Sequence, residues 1–191
     1  MKNLGGNYLV TDELRDLGFM RVGENVRIHS RSSVYGLENI SIEDNCRIDD
    51  FSLIVATGRL KIGRNVSIHS HCFIGARFGI SIGDFTTLAP GVKIFSSSDD
   101  YHGDFLTGPT IPKQFVGGES GEVQISKHVI IGSNSVVLPN SNIREGASIG
   151  ALSMVRGEIS EWSINAGAPT KEIGVRSKQL LRQLDNYLKL E

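Results

Sequence analysis

The sequence has little of what marks secreted, membrane or nucleic-acid-binding proteins. It contains 2 cysteines in 191 residues, so a disulfide framework is excluded. No run of about 18 apolar residues occurs, so no membrane-spanning helix is predicted. Its 20 basic and 21 acidic residues give a net charge of -1, which argues against a nucleic-acid partner. The N-terminal residues lack the apolar core of a signal peptide, and we expect a cytoplasmic protein.

Proline is also scarce, at 5 residues, whereas glycine is frequent, at 22. This combination is typical of a packed fold with many tight corners rather than of a disordered chain. Hydrophobic residues make up 39% of the chain, which suffices for a single domain over residues 1–191 with a sizeable core.

What the sequence does contain is a series of aliphatic residues at six-residue intervals. In the first half the whole pattern also recurs every 20 residues, because three intervals of six and two extra residues make one coil. The positions are Val22, Ile28, Ile42, Ile48, Ile54, Leu60, Ile62, Ile68, Ile74, Ile80, Ile82, Leu88, Ile94, Ile125, Ile131, Val137, Ile143, Ile149 and Val155. A period of six fits neither an amphipathic helix nor an alternating strand. It predicts a triangular coil of three short strands with inward aliphatics, stacked on the next coil at about 4.8 Å. The alternative, a chance pattern in a β-sandwich, does not explain so many positions in register.

A second position of the repeat is occupied by small or β-branched residues, four places after the aliphatic. It holds Val26, Cys46, Ser52, Val66, Cys72, Thr86, Val92, Val129, Ser135, Ser141, Ala147 and Ser153. We expect these side chains to fill the interior near the corners, which makes both cysteines packing residues rather than nucleophiles. Glycine often follows the aliphatic, as at Gly63 and Gly83, and we expect it to supply backbone angles that a tight corner needs.

The repeat divides the chain into three parts. Residues 1–21 form an N-terminal cap with a short helix, for which Thr11 is the predicted N-cap. Residues 22–163 form the β-helix, interrupted at 95–122 by a long loop, and a loop of this length is usually functional. Residues 164–191 form a closing segment and a C-terminal helix, because the leucines from Leu180 to Leu188 have helical spacing.

The repeat and the ending together resemble the hexapeptide-repeat acyltransferases. The segment Ile130–Val155 is similar to the last coils of that family, and Asn165–Lys171 is similar to its Ala-Gly-x-Pro-x-Lys ending. The resemblance is greatest to the sugar O-acetyltransferase branch, which includes galactoside, maltose and surface-polysaccharide acetyltransferases. It implies an all-β, left-handed parallel β-helix, although ordinary parallel crossovers are right-handed.

The resemblance also implies a homotrimer that binds acetyl-CoA along the later coils, with active sites between subunits. The implied cofactor-binding residues are Ser133, Gly150, Ala151, Arg156, Pro169, Lys171 and Arg176. Small residues would let the pantetheine approach the backbone, and the cations could pair with phosphates. The chain departs from galactoside relatives at Arg156-Gly157, where they commonly have a Thr-Lys pair.

Acetyl transfer to a hydroxyl needs a general base, and histidine is the usual choice because its pKa lies near neutrality. His102 in the loop is the first candidate, with Asp100 or Asp99 to orient its imidazole. His69 and His71, on the coil beneath the loop, are the alternatives. The loop histidine of the galactoside branch would fall nearer Asp99. His29 and His128 are expected at the surface.

These residues favour an acetyl-CoA-dependent O-acetyltransferase that acts on a sugar or surface-polysaccharide hydroxyl by direct transfer. The alternative is an N-acetyltransferase of a nucleotide-linked amino sugar. A zinc protein similar to the γ-type carbonic anhydrases is a third possibility, since His69, His71 and His102 supply three ligands. That family's ligands five residues apart are missing here, and we expect no metal requirement. The long loop argues against a non-catalytic scaffold.

Overall fold

The computed structural model describes residues 5–189, which form a left-handed parallel β-helix with a helix near each end. In chain order the strands are β1 (Tyr8–Val10), β2 (Arg21–Val22), β3 (Arg27–His29), β4 (Ser33–Tyr35), β5 (Ile40–Ile42), β6 (Arg47–Ile48), β7 (Leu53–Val55), β8 (Leu60–Ile62), β9 (Ser67–Ile68), β10 (Phe73–Gly75), β11 (Ile80–Ile82), β12 (Thr87–Leu88), β13 (Lys93–Phe95), β14 (Ser97–Asp99), β15 (Gly118–Ser120), β16 (Val123–Ile125), β17 (Ile130–Ile131), β18 (Val136–Val137), β19 (Asn142–Ile143), β20 (Ser148–Ile149), β21 (Met154–Val155), β22 (Glu158–Ile159), β23 (Ser163–Ala166) and β24 (Lys171–Val175). The helices are α1 (Thr11–Arg15) and α2 (Leu180–Tyr187), with short 3₁₀ turns at Leu37–Asn39 and Lys113–Phe115. Residues 1–4 of the predicted cap and 190–191 of the closing segment lie outside the described residues.

The coil has three faces, which the chain visits in a fixed order. The first face consists of β2, β5, β8, β11, β16, β19 and β22. The second consists of β1, β3, β6, β9, β12, β17, β20, β23 and β24, and the third of β4, β7, β10, β13, β18 and β21. Successive coils pair in parallel on every face, while β1 and β24 are antiparallel strands at the edges of the second face. Within residues 5–189 no helix is long and apolar enough to cross a membrane.

The core is a stack of inward aliphatic side chains, one from each face of each coil. On the third face Ile54 pairs with Ile74, and Ile74 pairs with Ile94, so identical side chains lie directly above one another. All three are at most 1% exposed. The predicted period of six and the β-helix are therefore confirmed.

The corners differ from the prediction in the role of glycine. Non-glycine residues adopt left-handed backbone angles there, among them Asn45, Asn65 and Phe85, whereas Gly63 and Gly83 do not. A Cβ on Gly83 would lie 2.6 Å from the backbone nitrogen of Lys127 in the next coil. These glycines are needed because the coils approach each other closely, not because the chain turns at them.

The small residues of the repeat fill the interior as predicted, and the two cysteines are among them. Cys46 and Cys72 are buried, and the Cys46 thiol donates to the carbonyl of Gly63 at 2.9 Å. Burial raises the pKa of each thiol to about 11. Little nucleophilic thiolate exists near neutral pH, which agrees with their assignment as packing residues.

The two ends of the coil are closed by different elements. At the N-terminal end β1 and α1 cover the first coil, and Leu14 is buried there. Val10 rather than Thr11 precedes the helix, because the Thr11 hydroxyl instead bonds to the backbone of Gly23 and Val26. At the C-terminal end β24 folds back on β23, a hairpin that the sequence pattern did not predict.

Candidate functional site

The long insertion leaves the third face and returns to the first, and it begins and ends in a short hairpin. Strands β14 and β15 pair antiparallel, with Asp99 opposite Gly118. Below them the buried hydroxyl of Ser96 donates to the carbonyl of Gly75 at 2.8 Å and accepts the N–H of Phe78 at 2.9 Å. The hairpin is therefore a fixed base, and residues 100–117 form the exposed part of the loop.

A cavity of about 830 Å³ lies between this hairpin, the loop and the third face, and its volume is typical of a ligand site. Its apolar lining includes Phe78, Phe95, Ile111, Val116, Val136 and Leu138, and its charged lining is Arg77, Asp99, Lys113 and Glu119. Tyr101 also borders it. The cavity therefore combines an apolar wall with charges of both signs at the corner between the third and first faces.

The prediction that Asp100 orients the imidazole of His102 is wrong, because the Asp100 carboxylate binds backbone groups instead. Its carboxylate accepts the backbone N–H groups of His102 at 2.8 Å, Gly103 at 3.1 Å and Phe105 at 2.8 Å. These hydrogen bonds, that of His102 first, hold the pKa of Asp100 below its usual value. Asp100 therefore shapes the turn that begins the loop. His102 is exposed and is not among the residues that line the cavity, whereas Asp99 is.

The histidine that a carboxylate does orient is His69. Its Nδ1 lies 3.1 Å from Asp49 Oδ2, and Asp49 also accepts the Tyr8 hydroxyl at 2.7 Å and Arg47 Nη2 at 3.1 Å. A carboxylate held in this way fixes the orientation of the imidazole. Asp49 precedes His69 by one coil of 20 residues, so the sequence repeat contained this pairing.

The three candidate histidines lie on two different corners. His69 and His71 follow the second face, where His71 stacks on Phe51 with 5.2 Å between ring centroids. His102 belongs to the loop at the opposite edge of the third face. A single subunit therefore does not bring the three histidines together. Residues 5–189 contain no cluster of three His, Cys, Asp or Glu side chains suited to a metal.

His29 and His128 are buried, contrary to the prediction that they lie at the surface. His29 contacts the Tyr8 ring edge to face, at 5.1 Å. His128 lies between the rings of Phe85 at 5.4 Å and Trp162 at 6.5 Å. Burial is the main cause that lowers the pKa of His128. His128 therefore packs in an aromatic stack along a corner, whereas His29 packs edge to face against a ring of the N-terminal strand.

The stability of the protein should fall as the pH drops below about 6.5, the ordinary pKa of histidine. The unfolded chain then binds a proton at His128 that the folded chain takes up only at lower pH, so protonation favours unfolding. His128→Phe should reduce this dependence and keep the stack, because Phe51 and Phe85 occupy equivalent corners at φ 56°. Urea unfolding at about pH 7.5 and about pH 5.5 checks this. An equal pH dependence in both proteins would contradict it.

The predicted cofactor-binding residues are distributed over all three corners. Ser133, Gly150, Ala151, Pro169 and Lys171 share the corner between the second and third faces. Arg156 lies at the corner between the third and first faces and pairs with Glu119. Arg176 lies at the remaining corner, where its Nη1 donates to the carbonyls of His128 at 2.6 Å and Gly146 at 2.9 Å. The first group alone forms a continuous strip.

The sequence pattern missed Arg77, Lys113 and Glu119, which the cavity brings together with Asp99. Arg77 follows the third face one coil below the hairpin, while Lys113 and Glu119 belong to the insertion. No period links these positions, so no signal in the sequence marked them as a group.

No family model matches the chain. A dTDP-4-amino-4,6-dideoxy-D-glucose acyltransferase of Escherichia coli is 40% identical over 183 residues, which cover 95% of each chain. The chain belongs to the hexapeptide-repeat acyltransferase family. The chain is also 32% identical to WbbJ, a putative lipopolysaccharide biosynthesis O-acetyl transferase of Escherichia coli K12. The match covers 84% of the chain and 74% of WbbJ.

A solved structure of similar fold is AntD, an N-acyltransferase from Bacillus cereus, crystallised as an aspartate-to-alanine mutant with dTDP and coenzyme A. AntD is 35% identical to the present chain. The superposition covers 97% of the present chain and 100% of AntD, with a TM-score of 0.93. The predictions of an acyltransferase and of an acyl-CoA co-substrate are confirmed at the level of the family.

Proposed function

We propose that this acyltransferase transfers an acyl group from acyl-CoA to the amino group of a dTDP-linked 4-amino-4,6-dideoxyhexose. The observation that carries the proposal is the 40% identity, over 95% of both chains, to an enzyme named for that acceptor. It favours the alternative from the sequence, N-acylation of a nucleotide-linked amino sugar, over the O-acetylation that was first expected. O-acetylation is the second candidate, because WbbJ is 32% identical.

The chemistry of an amine acceptor agrees with a carboxylate in the cavity. The amine arrives as an ammonium ion, loses one proton to the base and attacks the thioester carbonyl. A C–N bond forms and the C–S bond breaks, and the nitrogen's second proton goes to the departing CoA thiolate, which leaves as the thiol. A neutral amine is a strong nucleophile, so the base must only accept a proton from an ammonium. We assign this role to Asp99, which lines the cavity. It is also the residue near which the loop histidine of the galactoside branch would fall.

The charges of the cavity suit a sugar nucleotide. Arg77 and Lys113 border it and would pair with the diphosphate. Phe78 and Tyr101 offer aromatic surface for the base or the sugar, and the Arg77 guanidinium already lies 5.4 Å from the Phe78 ring centroid. The acceptor would thus lie with its amino group toward Asp99.

A homotrimer would complete the site. The strip of Ser133, Gly150, Ala151, Pro169 and Lys171, which we assign to acyl-CoA, lies at the opposite edge of the third face from the cavity. A neighbouring subunit that places its strip against the cavity would join donor and acceptor, and cyclic symmetry would repeat the contact three times. Light scattering should give three times the chain mass, and a monomer at micromolar concentration would refute the shared site.

The acceptor can be tested with four compounds, namely dTDP-4-amino-4,6-dideoxyglucose, dTDP-glucose, a galactoside and maltose. Each is incubated with the purified protein and acetyl-CoA, and thiol release and product mass are measured. The kcat/KM for the amino sugar should exceed that for each of the three hydroxyl acceptors by at least about 100-fold. A hydroxyl acceptor brings no ammonium group, so the carboxylate that binds this group would stay unpaired. Preferential acylation of a hydroxyl acceptor would support O-acetylation instead.

A further inference from the structure

An ion pair ties the last coil of the β-helix to the hairpin that carries Asp99. Arg156 follows β21, the last strand of the third face, and its Nη2 contacts a carboxylate oxygen of Glu119. Glu119 is the central residue of β15, and its neighbour Gly118 pairs with Asp99. Among the ion pairs of residues 5–189, this is the one that reaches the hairpin.

The other anchors of the hairpin lie at its base. The N–H of Gly121 donates to the carbonyl of Ser96 at 3.0 Å, and Asn140 Nδ2 donates to the carbonyl of Ser120 at 3.2 Å. Beyond Asp99 the chain enters the exposed loop. Asp99 thus stands where the anchored part of the insertion ends. Glu119 lies opposite Ser98, one residue before Asp99, and is the side chain of this hairpin that an arginine holds.

The pair also sets the charge that an acceptor meets. The titratable side chains that line the cavity with Asp99 are Arg77, Tyr101, Lys113 and Glu119, while Asp100 and His102 follow it outside the lining. Without a partner, Glu119 would be a second carboxylate that competes for an ammonium group. Arg156 neutralises it and leaves Asp99 as the carboxylate that faces the acceptor.

We propose that Arg156 and Glu119 are a positioning pair for the transfer: together they hold β15 against the last coil and keep Asp99 as the one carboxylate presented to the acceptor amine. This inference rests on the proposed function. It gives Arg156 a role through Glu119 in place of the predicted contact with a CoA phosphate. The side chains are 57% and 36% exposed, so the pair contributes little to global stability, and lost activity would not come from unfolding.

The chain offers a matched control, a second Arg–Glu pair on the surface away from the cavity. Arg144 Nε lies 2.9 Å from Glu158 Oε1 on the first face, with side chains 50% and 63% exposed. Arg156→Gln should lower kcat by about 10- to 100-fold, the usual effect of a displaced catalytic group. Its KM for acetyl-CoA should stay within about twofold of wild type. Arg144→Gln should change neither constant.

The pH profile of kcat/KM separates positioning from a structural role. In Arg156→Gln the acidic limb should move to higher pH, because Glu119 is then an unneutralised negative charge near Asp99. In Glu119→Gln it should move to lower pH, because Arg156 is then an unpaired positive charge. The exchanged pair Arg156→Glu with Glu119→Arg should recover most of kcat. Identical shifts in both single variants would overturn the proposal.

Hydrogen exchange of the free protein tests the pair without any acceptor. Amides of residues 97–99 and 118–120 should exchange faster in Arg156→Gln than in wild type and in Arg144→Gln. Unchanged exchange or unchanged kcat in Arg156→Gln would refute the positioning role of the pair. An effect confined to a higher KM for acetyl-CoA would also refute it, and would make Arg156 a phosphate ligand. Failure of the wild type to acylate the amino sugar would instead refute the proposed function, and exchange would still decide whether the pair holds the hairpin.

Discussion

Replacement of Asp99 by asparagine is expected to lower kcat for the amino sugar by about 10²- to 10⁴-fold, the usual contribution of a positioned base. Asparagine has the same shape as aspartate, so the β14–β15 pairing through the Asp99 backbone should persist. It cannot take a proton from the ammonium, and it carries no charge to attract one. The effect should therefore appear in kcat rather than in folding.

One histidine variant and one binding measurement serve as controls for Asp99. His102→Ala should stay within about threefold of wild type, because His102 is exposed and lies outside the cavity lining. Thermal stabilisation by acetyl-CoA should be equal in wild type and in Asp99→Asn, since Asp99 acts on the acceptor. Full activity of Asp99→Asn would refute the assignment.

His69 defines the competing assignment of the base. An inactive His69→Ala beside an active Asp99→Asn would move the base to the pair of His69 and Asp49, which are 3.1 Å apart. In the trimer this pair would come from a neighbouring subunit. Inactive His102→Ala with the other two variants active would restore the original assignment to the loop histidine.

Replacement of Ile74 by alanine is expected to cost about 2–5 kcal/mol of unfolding free energy. Ile74 is fully buried between Ile54 and Ile94 in the third-face ladder. Hydrogen bonds to the coils above and below hold the backbone, so the cavity left by the side chain cannot close. The loss of unfolding free energy thus includes the transfer free energy of the removed atoms and the cost of the cavity that they leave.

The matched control for Ile74 is Ile130, which is 40% exposed on the outside of the second face. Ile130→Ala should cost less than about 1 kcal/mol. Urea unfolding at one fixed protein concentration measures both variants, because dissociation of an oligomer would otherwise shift the midpoint. Equal losses in the two variants would contradict the ladder as the main source of stability.

The sequence by itself determined the β-helix, because its stability comes from a repeated local unit that stacks on its neighbours. Inward positions such as Ile74 recur every six residues and are visible without a structure. The same repeat placed Asp49 one coil below His69, so even this side-chain pair could be found by counting. The repeat is common to enzymes that acylate hydroxyls and amines, which is why it did not identify the acceptor.

Only the tertiary structure decided the contents of the candidate site. Glu119 contacts Arg156 across 37 residues, and Arg77 and Asp99 line the same cavity, so no local pattern records either relation. Asp100 was misassigned because its partners are backbone N–H groups, which every residue carries. The turn geometry, not the residue types, decided that Asp99 rather than His102 borders the cavity.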